Sequence, residues 1–140
     1  MRTILLIMIG LSTLSYANFT RDNTIGIVTD STTGLMWQDN IVDSSMTWQS
    51  AIDTCEALSL GGLSDWRLPN VNELEGLVDD TRVSPAINVV FQNTASSNYW
   101  SSTSYAVFLD SAWYVNFDSG FQNNLSKYAP RYVRCVRAGQ

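Results

Sequence analysis

Four carboxylates, Glu73, Glu75, Asp79 and Asp80, form the densest group of acid–base side chains in this 140-residue sequence. Two carboxylates facing one substrate could serve as the acid and the nucleophile of a glycoside hydrolase. Glu73 and Glu75 are only two positions apart, so on a helix their side chains would diverge. We therefore predict that the cluster is architectural and that the chain has no catalytic residue.

Other enzyme classes are limited by what the sequence lacks. It contains no histidine, which excludes Ser-His-Asp and Cys-His catalysis and the HExxH zinc sites. The formal net charge is −5, and an acidic chain argues against nucleic acid as a partner. We expect a protein that is not an enzyme, has no required cofactor and does not bind nucleic acid.

The N-terminus predicts the compartment. Arg2 precedes an apolar run, and small residues stand at Ser15 and Ala17, which is typical of a signal peptide over residues 1–17. Residues 18–140 would then be a single exported domain, periplasmic or secreted, without membrane insertion. In an oxidising compartment Cys55 and Cys135 are expected to form one disulfide, the alternative being two buried thiols.

Two sets of oxygen-bearing side chains could bind calcium. One set is Asp39, Asn40 and Asp43, and the other is Asp110, Asp118, Asn123 and Asn124. Neither set has the spacing of an EF-hand loop, and Asp and Asn are also favoured in turns. We predict no metal site and keep calcium as the alternative.

Aromatic side chains are concentrated in the last third of the sequence. Exposed rings can stack on sugars, although most rings in a small domain must be buried. Their positions beside turns or opposite Trp113 favour Tyr105, Tyr114 and Phe121 as ligand contacts. Core positions are predicted for Trp66, Trp100 and Trp113.

The only concentration of basic residues is near the C-terminus, where it comprises Lys127, Arg131, Arg134 and Arg137. These side chains could form a binding patch for a polyanion. The alternative is that they pair with the excess aspartates. We carry all four as candidate ligand contacts.

The elements that would position these residues begin with a β-hairpin over residues 25–29 and 35–38. An amphipathic helix follows, with Thr47 as its N-cap and Gly61-Gly62 as its end. Asn70 and Glu73 then have the spacing of a capping box that opens a second helix, ending near residues 79–80.

Residues around this second helix have predicted structural roles. Pro69 sharpens the entry to the helix, and Arg67, within Asp65-Trp66-Arg67, is expected to bind neighbouring carboxylates or carbonyls. A long loop over residues 81–98 and an antiparallel β-meander complete the order. The predicted class is α+β, with one disulfide from the first helix to the last strand.

Five sequence blocks carry a resemblance to a known family: "GIVTDSTTGLMWQD", "LGGLSDWRLPNVNELEGLVDD", "NYWSSTSY", "AWYVNFDSG" and "RYVRCVRAG". In composition and order they resemble the C-terminal domain of the bacterial collagen-like adhesins, the Lcl C-terminal domain. The resemblance implies a fold similar to that of C-type lectins and formylglycine-generating enzymes. It also implies binding to a polysaccharide or surface glycan, or else to an envelope protein.

Two features depart from the adhesins. No Gly-X-Y repeat precedes the domain, so the collagen-like stalk that would impose trimerisation is absent from this sequence. The acidic charge also opposes the sulfated polyanions that those adhesins bind. We expect a non-catalytic, adhesin-like binding domain, or alternatively a module for protein interaction or envelope assembly.

Overall fold

Two antiparallel β-sheets and two helices make up residues 18–139, the part of the chain that the computed structural model describes. The elements are β1 Phe19–Asp22, β2 Ile27–Asp30, β3 Leu35–Gln38, α1 Trp48–Glu56, α2 Val71–Glu75, β4 Asn98–Ser104, β5 Ser111–Asn116, β6 Gln122–Ser126 and β7 Val136–Ala138. The predicted signal peptide, residues 1–17, lies outside the described residues. The predicted α+β class is confirmed.

The first sheet has the strand order β1-β2-β3-β7. The predicted hairpin is confirmed as β2 and β3, whose turn is held by the Asp30 carboxylate, which accepts hydrogen bonds from the Thr32 N–H and the Thr33 hydroxyl. Strand β1, which was not predicted, is a short strand at the edge of the sheet whose side chains are alternately half-buried and exposed. Such a strand lacks a continuous apolar run because it packs on one face only.

The second sheet is the meander β4-β5-β6, as predicted. The last strand, however, is not part of it. β7 pairs with β3, placing Val136 opposite Trp37. The expectation that all C-terminal strands form one meander was therefore wrong, because the partner of β7 is about 100 residues away in sequence and no local signal identifies it.

The first helix begins as predicted and ends earlier. Thr47 caps α1, its side chain accepting from the Ser50 N–H, and the helix ends at Glu56. The predicted end at Gly61-Gly62 is wrong. These two glycines, with φ of +61° and +73°, form a separate tight turn between Leu60 and Leu63, which a residue with a side chain would adopt only at a cost.

The second helix is a single short segment. The predicted capping box is present, with the Asn70 side chain accepting from the Glu73 N–H and the Glu73 carboxylate accepting from the Asn70 N–H. The helix ends at Glu75 rather than near residues 79–80, because Val78 instead pairs with Ile87. Residues 76–97 contain no regular helix or strand, in agreement with the predicted loop.

Two buried clusters occupy the two faces of the second sheet. The cluster on the α1 side includes Trp66, Trp100 and Tyr114, and the cluster on the α2 side includes Leu74 and Val115. Cys55 in α1 and Cys135, directly before β7, form the predicted disulfide, which is fully buried in the first cluster. The disulfide therefore attaches α1 to the end of the chain that closes the first sheet.

Candidate functional site

The second sheet leaves one tryptophan outside the core. Side chains alternate along β5, so Tyr114 faces the α1 cluster, while Trp113 and Val115 lie on the opposite face. Val115 is fully buried, but Trp113 is half-buried and belongs to neither cluster. The prediction of a core role for Trp113 is therefore wrong, and its ring is partly available at the surface.

Two further rings extend this surface. The Tyr105 ring lies edge-on to Trp113, with centroids 5.5 Å apart and planes at 87°. The ring centroid of Phe108 lies 6.2 Å from that of Tyr105, and Phe108 is 66% exposed. We call Tyr105, Phe108 and Trp113 the aromatic platform. The perpendicular packing of Tyr105 on Trp113 fixes these two rings relative to one another, which lowers the entropic cost of binding.

Polar side chains share the platform's face of the sheet. Asn124 of β6 is the residue directly opposite Trp113, and Ser111 is opposite Ser126. Because side chains of paired residues lie on the same side of a sheet, the amide and the hydroxyls flank the indole ring. The platform thus combines ring faces with neutral hydrogen-bonding groups.

The loop that joins β4 to β5 holds the platform at the end of the sheet. The Tyr105 N–H donates to the Ser111 carbonyl, and the Ser111 N–H donates to the Phe108 carbonyl. At the tip, Val107, Phe108 and Leu109 are each about two-thirds exposed. We call residues 107–109 the apolar tip.

The three aromatic residues predicted to contact ligand have different positions. Tyr105 is part of the platform, and Phe121 is 50% exposed beside the β5–β6 turn, outside the platform. Tyr114 is buried, with the Arg131 guanidinium 5.5 Å from its ring centroid, so the expectation that it is exposed was wrong. The face opposite Trp113 is the side covered by α1, which the sequence could not reveal.

Two of the four basic candidates are buried. Arg134 donates to Asp39 at 3.2 Å and is 2% exposed, and Arg137 donates to Asp65 at 2.6 Å and is 5% exposed. These two arginines cannot contribute to a surface patch for a polyanion. Both arginines instead pair with aspartates, which was the alternative prediction.

The other two basic candidates are held against aromatic rings. Arg131 donates to the Pro130 carbonyl and lies against Tyr114. The Lys127 ammonium lies 4.0 Å from the centroid of Trp48 and donates to the Ser104 hydroxyl. Lys127 also lines a cavity, which is described below.

Asp39, a candidate calcium ligand, is already saturated with donors. Its fully buried carboxylate accepts from Arg21, Arg134 and the N–H groups of Gln92 and Asn93. A metal ion would have to displace two arginines to reach it. In residues 18–139, no group of three or more acidic, cysteine or histidine side chains is arranged to hold a metal.

The carboxylates of the second-helix region also have structural partners. Arg67 donates to both oxygens of Glu73, and these hydrogen bonds hold the pKa of the Glu73 carboxyl below its usual value. Hydrogen bonds from Thr81 lower the pKa of Asp79 in the same way, and those from Arg137 lower the pKa of Asp65. None of the three carboxyls has the raised pKa that a general acid needs at neutral pH.

The remaining predicted structural residues lie in or beside the core. The Trp66 indole N–H donates to the Leu63 carbonyl, and that of Trp100 donates to the Met46 carbonyl. Pro69 is fully buried, and its carbonyl accepts from the Ser102 N–H. Neither helix of the described chain is long and apolar enough to cross a membrane.

The exposure of Phe108 and the partial exposure of Trp113 were not predicted. The available signal was the alternation along β5 together with the polar sequence of β6, Gln122–Ser126, in which only Leu125 is apolar. A strand this polar cannot cover its neighbour with apolar side chains, so a ring beside it remains partly exposed.

Comparison with known proteins identifies the family. The family model described as the Lcl C-terminal domain matches residues 26–137, a segment that extends from the start of β2 into β7 and includes both cysteines. The search of curated proteins gave no match. The family and the intramolecular disulfide are consistent with an exported, adhesin-like domain. This chain belongs to the Lcl C-terminal domain family.

Proposed function

We propose that this protein is a non-catalytic binding domain that recognises a polysaccharide or surface glycan through the aromatic platform. The observation that carries the proposal is the fixed pair Tyr105–Trp113 with Asn124 beside the indole. A sugar ring has an apolar face that stacks on an aromatic ring and a rim of hydroxyls that amides and serines can bind. The platform offers both kinds of contact on one face.

The absence of catalysis is part of this proposal. Glu73, the best candidate for an acid, is engaged by Arg67 and by the Asn70 N–H, and its pKa is lowered rather than raised. A glycosidase acid requires the opposite shift. The engaged carboxylates favour recognition over hydrolysis.

The first test is glycan binding by the purified protein, produced by export so that the disulfide forms. Neutral, acidic and sulfated polysaccharides are compared by calorimetry, in calcium and then in chelator. Trp113→Ala should weaken binding about tenfold or more, because one stacked ring is lost. Phe121→Ala, which removes an exposed ring outside the platform, is the matched control and should bind as the wild type does. Equal affinity of Trp113→Ala and wild type would contradict the proposal.

A protein partner is the second candidate, and the apolar tip is the observation that favours it. Val107, Phe108 and Leu109 together expose apolar side chains on one loop, a feature typical of interfaces. In that case the protein should bind no glycan, and Phe108→Ser should abolish copurification with an envelope protein. Retained copurification of Phe108→Ser would exclude this surface.

A further inference from the structure

A small cavity lies at the same end of the second sheet as the platform. It has a volume of about 210 Å³ and is lined by Thr47, Trp48, Gln49, Asp110, Lys127 and Tyr128. This volume is below the roughly 300–1,000 Å³ of pockets for drug-sized ligands, so it suits a single sugar-sized unit. We call it the Trp48–Tyr128 cavity.

Hydrogen bonds fix the walls of this cavity. The Trp48 indole N–H donates to the Ser101 carbonyl at 2.8 Å, and the Trp48 backbone N–H donates to the Lys127 carbonyl at 3.0 Å. The Lys127 N–H in turn donates to the Asp110 carbonyl at 2.8 Å. Helix α1, strand β6 and the β4–β5 loop therefore hold the cavity in one arrangement without a ligand, which reduces the entropic cost of binding.

The ammonium of Lys127 can form further hydrogen bonds. One donor goes to Ser104 at 2.9 Å, and the charge rests on the Trp48 ring. No carboxylate of the described chain lies within ion-pair distance of it. An ammonium carries three donors, so Lys127 can still donate to a ligand oxygen.

The charges of the lining select the class of ligand. The residues that line the cavity include one basic residue, Lys127, and one acidic residue, Asp110, in a chain with a formal net charge of −5. An anionic unit would gain from Lys127 and lose to Asp110 and to the acidic chain. A neutral sugar can use both groups, because one hydroxyl accepts from the ammonium while another donates to the carboxylate.

Tyr128 supplies the apolar contact. Tyr128 lines the cavity and is 77% exposed. This is the largest exposed fraction among the large hydrophobic residues of the described chain. An exposed ring of this kind gains apolar contact when a sugar face covers it. We propose that the Trp48–Tyr128 cavity is a subsite for one neutral monosaccharide unit, distinct from the aromatic platform. This assignment rests on the proposed function of glycan recognition.

The test uses the ¹⁵N-labelled purified protein and nuclear magnetic resonance. Glucose, galactose, mannose and N-acetylglucosamine are titrated separately, with glucuronic acid as the charged counterpart of glucose. At least one neutral sugar should shift the amides of Gln49, Asp110 and Tyr128 and the indole N–H of Trp48. Glucuronic acid should bind about fivefold more weakly than glucose, because its carboxylate adds a negative charge at the solvated surface of a chain whose formal net charge is −5.

Two variants separate the cavity from the platform. Tyr128→Ala should weaken the binding that shifts these amides about tenfold. Because the Tyr128 side chain is exposed, the variant should fold as the wild type does, which thermal unfolding verifies. Trp113→Ala should leave monosaccharide shifts at the cavity unchanged. If Trp113→Ala has no effect on polysaccharide binding while the cavity still binds, the platform proposal fails and the subsite stands.

Three results would overturn the subsite. They are the absence of cavity shifts with all four neutral sugars, unchanged affinity in Tyr128→Ala, and glucuronic acid binding as tightly as glucose or more so. Lys127→Met provides an independent check, because it keeps the length of the stem and removes the donor. It should weaken the neutral sugar, whereas unchanged binding would remove Lys127 from the site.

Discussion

At the scale of single residues, the buried carboxylate of Asp39 connects distant parts of the chain. It joins Arg21 of β1, Arg134 near the C-terminus and the backbone of the long loop at Gln92 and Asn93. Four segments that are far apart in sequence therefore meet at one charged group. Removing one partner of such a group leaves the others buried without a counter-charge.

We expect Asp39→Asn to lower the free energy of unfolding by about 3–5 kcal/mol, because Arg134 would remain buried beside a neutral amide. Equilibrium unfolding in urea at pH 7 measures the change. The matched control is Asp53→Asn on the exposed side of α1, which should stay within about 0.5 kcal/mol of wild type. A loss at Asp39 no larger than that of the control would contradict this role.

At the scale of elements, α2 shows how local signals act. The helix has only five residues, and its entry is fixed by the capping box and by the ion pair between Arg67 and Glu73. Helices this short gain little from their own hydrogen bonds, so the cap and the packing of Leu74 hold them. The opening Asn-x-x-Glu pattern was readable in the sequence because both partners lie within one helical turn.

The charge of Glu73 should make stability depend on pH. Its pKa is lower in the folded protein than the value of 4.5 for an ordinary glutamate, chiefly because Arg67 donates to it. The stabilisation is therefore fully present above about pH 4.5 and is lost as the pH falls through the lower, folded-state pKa. Glu73→Gln keeps a side chain that can cap the helix and removes the charge.

Wild type should therefore be more stable than Glu73→Gln at pH 7, and the difference should shrink towards pH 3. Urea unfolding of both proteins across this range measures it. Asp65 and Asp79, whose pKa values are also lowered, contribute to both proteins and cancel in the difference. A difference that stays constant down to pH 3 would show that the ion pair does not stabilise the fold.

The elements that could be predicted from the sequence are those specified by neighbouring residues. The hairpin, the N-caps of both helices and the meander are encoded by residues close together in the chain. The pairing of β7 with β3 depends on a partner about 100 residues away, and β1 lacks the continuous apolar run that would mark it as a strand. Of the aromatic platform, the sequence predicts Tyr105 as a ligand contact but places Trp113 in the core.

At the scale of the whole molecule, the disulfide joins the two halves of the chain. Cys55 lies in α1 and Cys135 lies 80 positions later, beside the strand that completes the first sheet. Cross-linking so long a loop restricts the unfolded chain strongly. The two cysteines are completely buried, so the cross-link is protected within the core as well.

Replacing both cysteines with alanine should lower the free energy of unfolding by about 4 kcal/mol, as expected for a closed loop of this length. Urea unfolding with and without reducing agent measures the loss. The reducing agent should destabilise the wild type by a similar amount and leave the double variant unchanged. A difference below about 1 kcal/mol between oxidised and reduced wild type would contradict the role of the cross-link.

The position of β7 in the first sheet also determines the order in which the protein can fold. β1, β2 and β3 are synthesised first, yet their sheet stays incomplete until β7 emerges, and the same last segment carries Arg134 and Cys135. Contacts this distant in sequence form late and slow the folding reaction. A nascent chain therefore keeps its first sheet without the fourth strand, and Asp39 and Cys55 without their C-terminal partners, until synthesis is almost complete.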